Sequence, residues 1–139
     1  MLNSGLMYKE LIQKAEEASH KAYCKYSRFA VGTALLTDSG EIYTGCNIEN
    51  SSYPVGICAE RVAFGKAISE GHKKFRAIAV CGFFLGELDP VFCPPCGMCR
   101  QFMSEFCEDD FEVILSDKMK GIRYYKLGTL VPVRFDFQI

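Results

Sequence analysis

The sequence predicts an α/β fold: a three-layer α/β/α sandwich around a mixed five-stranded sheet. Three observations carry this. Short apolar runs bounded by turn residues alternate with stretches whose apolar residues recur at helical spacing, as in a sheet covered by helices. Asp38-Ser39-Gly40 joins the first two strand-like runs too tightly for a crossover, so those two form a hairpin. A length of 139 residues, with no internal repeat, low-complexity tract or linker, suits one domain spanning 1–139.

Residues 7–24 read as the first helix, with Leu11, Ala15, Ala18 and Ala22 on one stripe and Lys9, Glu10, Glu16, Glu17 and Lys21 largely off it. His20 falls in this helix as a surface or partly buried residue, not a ligand. Residues 29–36 are apolar enough for a strand buried on both faces, and 41–46 form its hairpin partner. After a polar stretch at 47–52, residues 58–70 form the second helix, closed by Gly71 as a C-terminal cap. The third strand, at 76–82, is interior. A loop at 83–95 leads to a third helix at 96–107, because Pro94 and Pro95 disfavour helix before Cys96. Residues 111–115 are the fourth strand and 121–126 the fifth, the least strongly patterned. An apolar tail containing Pro132 fills 127–139.

Sixteen basic against 17 acidic side chains leave a formal charge of -1. The densest basic cluster is Lys73-Lys74 with Arg76, which argues against a phosphate-backbone binder and for a small substrate. The opening residues, Met1-Leu2-Asn3-Ser4-Gly5-Leu6, lack the basic and apolar regions of a secretion signal, and no apolar run approaches a membrane span. The eight cysteines are therefore expected to be free thiols in a reducing, cytoplasmic setting. Cys24, Cys46, Cys81 and Cys107 read as small buried hydrophobes.

Cys96-Gly97-Met98-Cys99 places two thiols at the mouth of a helix, a spacing that lets both sulfurs reach one zinc ion. The helix dipole and free amides lower the pKa of thiols there. Cys58 opens the preceding helix in the same way, and two strand-to-helix junctions of one sheet can lie side by side. Three thiolates leave one tetrahedral position for water, the arrangement of a catalytic zinc that brings water toward hydroxide near neutral pH. Glu60, in the first turn with Cys58, suits transfer of the water proton to a leaving group. Zinc with three thiolates carries net charge of about -1 by formal counting. Arg61, three residues after Cys58 and on the same helix face, would neutralise it by bonding the sulfurs. Two rivals use Cys93. An iron–sulfur run fails because Met103 stands where the next cysteine would fall. A closed four-thiolate zinc site stays open, and it would leave Glu60 without a task.

Cys58-Ala59-Glu60-Arg61 followed by Pro95-Cys96-Gly97-Met98-Cys99-Arg100-Gln101 strongly resembles the free-nucleoside cytidine deaminases of the all-cysteine type. Tyr26-Ser27-Arg28-Phe29-Ala30-Val31-Gly32 and Gly45-Cys46-Asn47-Ile48-Glu49-Asn50-Ser51-Ser52-Tyr53 look like two further signatures of that family, so the resemblance covers nearly the whole chain. It implies hydrolytic deamination of cytidine and 2′-deoxycytidine in pyrimidine salvage, with one zinc per chain on Cys58, Cys96 and Cys99. It also implies that Glu60 donates to N3 of the ring and later hands a proton to ammonia. Asn47 and Glu49 would bind the ribose hydroxyls and Phe29 would line the base and sugar pocket. Backbone groups near Ala59 and Pro95 are implied as partners of the base and leaving amine. The family is a homotetramer with shared sites, in which Tyr53 matches a residue reaching a neighbour's substrate. Phe135, three residues after Pro132, matches an aromatic that stacks on a neighbour's pyrimidine, with Phe137 the alternative. Arg134 and the ending Asp136-Phe137-Gln138-Ile139 depart from the family's small residues and polar end, and the loop Phe83-Phe84-Leu85-Gly86-Glu87-Leu88-Asp89 is unusually apolar.

Overall fold

The computed structural model describes residues 4–137. The readings of Met1, Leu2 and Asn3 as part of a leaderless start, and of Gln138 and Ile139 as tail, lie outside the described residues. Helix α1 (Ser4–Ser19) is followed by β1 (Phe29–Thr37), β2 (Ile42–Cys46) and a 3-10 turn (Tyr53–Val55). Then come α2 (Ala59–Ser69), β3 (Phe75–Phe84), α3 (Gly97–Phe106), β4 (Glu112–Asp117), β5 (Gly121–Lys126) and the short α4 (Leu127–Leu130). The five strands form one mixed sheet in the order β2-β1-β3-β4-β5. Only β3 and β4 pair in parallel.

Side-chain alternation along the inner strands splits the core in two. Ala34, Leu36, Ala77, Ala79, Cys81 and Ile114 face one side and meet Leu11, Ile12 and Ala15 of α1. Leu35, Ile78, Val80, Val113 and Leu115 face the other and meet Ala63, Phe64 and Ala67 of α2 with Cys99 and Met103 of α3. The predicted three layers are thus present, with one helix on one face and the remaining helices on the other.

This topology places the two cysteine junctions together. Strands β2 and β3 flank β1 and both run antiparallel to it, so they run parallel to each other and end at the same sheet edge. Helices α2 and α3 follow those ends. Their N-termini therefore open side by side, across a sheet width of roughly 10 Å for two strand spacings.

Glycine at position 45 sets how closely α2 lies on β2. A Cβ there would stand 2.4 Å from the Ala59 carbonyl oxygen and 2.7 Å from the Ala63 nitrogen, both backbone atoms. The buried Thr33 hydroxyl donates to the same Ala59 carbonyl at 3.0 Å, fixing the first turn of α2. Gly45→Ala is therefore expected to push the helix outward and lower stability by about 1–3 kcal/mol. Urea unfolding with a parallel zinc assay would check this; an unchanged midpoint would overturn it. The far end of α2 closes as anticipated on Gly71, whose φ of 101° suits glycine. Gly71 and His72 donate backbone N–H groups to Ile68 and Ala67, completing a Schellman cap.

Several boundaries differ from expectation. The first helix stops at Ser19, not Cys24, because Tyr23 leaves helical geometry to donate to Asn47 O while its carbonyl accepts from Glu49 N. Ala22 therefore lies outside the helix, and His20 is exposed. Strand β3 extends through Phe83 and Phe84, so part of the unusually apolar loop is sheet: Phe83 joins the α1-side core, whereas Leu85 and Leu88 remain exposed. Cys24, Cys81 and Cys107 are buried. Cys46 is only half-buried, at the open end of β2.

Candidate metal and catalytic site

Cys58 and Cys96 occupy the N-cap positions of α2 and α3, both with extended backbone. Cys99 lies one turn into α3 and is fully buried. Each helix turns its unpaired first-turn amides and positive dipole end toward this point. The three Sγ atoms lie within 4.8 Å of one another, and those of Cys58 and Cys96 are 3.8 Å apart. Cys93 is not part of this group, and burial pushes its thiol up to about 12. Among the described residues the cluster thus offers three candidate ligands, not the four of the closed alternative.

Glu60 is buried at 5 % exposure. Desolvation first, and then the neighbouring Cys58 charge, raise its carboxyl to about 7, against the lowering pull of its own backbone amide. A group titrating there can both accept and donate a proton near neutrality. Arg61 directs Nη2 at Cys58 Sγ, 3.8 Å away. A thiol hydrogen bond from Cys99, with Arg61 and Cys96 adding to it, holds Cys58 toward thiolate despite burial. Among the described residues the buried Arg61 Nε has no hydrogen-bond partner.

The other anticipated site residues sit on the β1–β2 side. Asn47 is engaged within its own chain, its Oδ1 accepting from Val31 N at 2.9 Å and its Nδ2 donating to Phe29 O at 2.9 Å. Glu49 Oε1 accepts from the amides of Tyr26 and Ser27, both at 3.0 Å, and Oε2 accepts from the Ser27 hydroxyl. These bonds, that hydroxyl contact first, hold the Glu49 carboxyl below its usual range. Phe29 packs edge-on against Phe84, with centroids 4.9 Å apart, and reaches over Gly82 beside Cys93. Tyr53 packs on Tyr26 and lines, with Glu49, Ser27 and Gly56, a concavity of about 350 Å³.

Comparison with known proteins agrees with this geometry. The family model for the cytidine and deoxycytidylate deaminase zinc-binding region matches residues 7–115. The chain belongs to that family. A cytidine deaminase of Sporosarcina psychrophila is 43% identical over 126 residues, covering 91% of this chain and 89% of the relative. One from Halalkalibacterium halodurans is 45% identical over 125 residues, 90% and 91% of the two chains. The crystal structure of a Burkholderia pseudomallei cytidine deaminase superposes with a TM-score of 0.82 at 40% identity, over 92% of this chain and 98% of that one.

The donor set of this deaminase fits zinc. Tetrahedral zinc with Zn–S bonds of about 2.3 Å separates its sulfurs by about 3.8 Å, the spacing of Cys58 and Cys96. Arg100, which sequence reasoning passed over, ties the site to the end of the chain: Nε donates to Pro95 O at 2.8 Å and Nη1 to Leu130 O at 3.3 Å. The motif containing Arg100 was visible, but nothing local to it points to a carbonyl thirty residues on, at Leu130. Phe135 lies outside α3, its carbonyl accepting from Gln101 Nε2 at 3.1 Å. Its ring stands 66 % exposed against the more exposed Phe137. Among the described residues no helix is long and apolar enough to cross a membrane.

Proposed function

We propose that this deaminase hydrolyses cytidine and 2′-deoxycytidine to uridine and 2′-deoxyuridine with release of ammonia, as a cytoplasmic pyrimidine-salvage enzyme acting through one domain, 1–139. The observation that carries the reading is the convergence of Cys58, Cys96 and Cys99 beside the buried carboxyl of Glu60. One zinc per chain, held by the three thiolates, supplies the Lewis acidity that makes water nucleophilic near neutral pH.

Glu60 takes one proton from the attacking water and passes it to ring N3, then takes the proton of the hydroxyl so added and delivers it to the amine as the C–N bond breaks and the product carbonyl forms. Its raised pKa suits a group that changes protonation state during turnover. Arg61 offsets the excess negative charge of the thiolates. Asn47 keeps one N–H and one carbonyl lone pair beyond the bonds it makes to β1, and Glu49 keeps acceptor capacity on Oε2, so both can take ribose hydroxyls while held rigid by their own chain. Phe29 forms the wall beside the base.

The marked exposure of Tyr53 and Phe135 supports a homotetramer in which Tyr53 reaches a neighbour's substrate and Phe135 stacks on a neighbour's base. Ultraviolet-monitored loss of cytidine and deoxycytidine by zinc-loaded protein, beside a single-stranded DNA control, tests the substrate class. Turnover of both nucleosides but not the polymer is expected. Turnover of the polymer alone would overturn the reading.

A further inference from the structure

We propose that Arg134 is a positioning residue for Phe135. This rests on the reading of Phe135 as the ring that stacks on a neighbour's substrate, and adds what holds that ring in place. The α3 helix ends at Phe106, leaving its last carbonyls without intrahelical partners. Arg134 Nη1 donates to two carbonyls there, Ser104 O at 3.1 Å and Cys107 O at 2.8 Å. Its Nη2 donates to Asp109 Oδ1 at 2.8 Å.

The guanidinium thus sits at the negative end of the helix dipole, with the Arg134 side chain 20% exposed. The adjoining residue is Phe135, and its ring and that of Phe137 meet at 5.6 Å and 67°. Among the described residues, Phe135 itself is tied down by one exposed hydrogen bond, its carbonyl accepting from Gln101. The next anchor toward the site is Val131, four positions earlier, whose N–H donates to Leu127 O at 2.8 Å, with Arg100 holding the carbonyl of Leu130 just before it. Arg134 therefore sets the direction in which the aromatic pair runs past the C-terminal end of α3, and acts through Phe135.

The test compares KM and kcat for cytidine in zinc-loaded Arg134→Ala, Phe135→Ala and the double variant, together with unfolding midpoints. Losing a base-stacking ring corresponds to about a five- to hundred-fold effect. Phe135→Ala should raise KM by that order with kcat nearly unchanged. Arg134→Ala should raise KM in the same direction, and the double variant should be no worse than Phe135→Ala alone. Arg134→Lys, which keeps the charge but not the fork that serves three acceptors, should fall between wild type and Arg134→Ala; it also serves if Arg134→Ala fails to fold, when a wild-type KM in it would refute the proposal. Two outcomes overturn the proposal while sparing the stacking role: Phe135→Ala raising KM while Arg134→Ala lowers only the midpoint, or additive effects in the double variant. A wild-type KM in Phe135→Ala strikes down the stacking role itself, and the proposal with it.

Discussion

Glu60→Gln is expected to keep zinc and the native fold while losing about 10²–10⁴ of kcat. The side chain is buried and the replacement is nearly isosteric, so packing around α2 should survive. What disappears is the exchangeable proton, since a carboxamide cannot take one from water and return it to an amine. A loss of that size corresponds to about 3–5 kcal/mol of transition-state stabilisation. The measurement pairs kcat with zinc per chain and thermal midpoint. A variant with full zinc and wild-type turnover would show that the carboxylate is only a dipole-compatible residue at the start of α2.

Removal of the metal should produce the second large effect. Cys99 is fully buried in α3 where it packs with residues of α2, and Cys99→Ala leaves two thiols, one short of the three protein ligands a catalytic zinc takes. Zinc per chain should fall from near one to near zero, with activity falling in parallel. Stability should drop as well, because a ligand bound only by the native state contributes about 4 kcal/mol at a thousand-fold excess over its Kd. Chelation of the unmodified protein should reproduce the loss of activity and stability, and added zinc should reverse it. Full activity after quantitative removal of zinc would rule out the metal-dependent reading.

Much of this architecture could be read before any coordinates. The strands announced themselves because their central runs, 34–36 in β1, 77–81 in β3 and 113–115 in β4, are buried on both faces and apolar. The helix that carries Cys58 was bounded by strong local signals, a cysteine at the cap and Gly71 beyond the end. The cysteine and Glu60 set was legible because metal ligation restricts residue type and spacing more tightly than packing does. The exit of α1 was misjudged because Ala22 continues the apolar stripe, while the pairing of Tyr23 with Asn47 and Glu49 that ends the helix depends on a segment more than twenty residues away. Asn47 and Glu49 were anticipated only as partners for ribose, and what the fold shows is that both brace the backbone of their own chain. Arg100 and Arg134 were harder still, since each acts on main-chain carbonyls, which are the same in every residue and leave no trace in composition.

The bridge that Arg100 makes from Pro95 to Leu130 has a practical corollary for handling this protein. The stretch around Leu130 is mortised into the scaffold of the cysteine loop, whereas α1 rests against the opposite face of the sheet. A substitution that displaces Leu130 would loosen the joint beneath Cys96, whereas one on the outer face of α1 would leave that joint untouched.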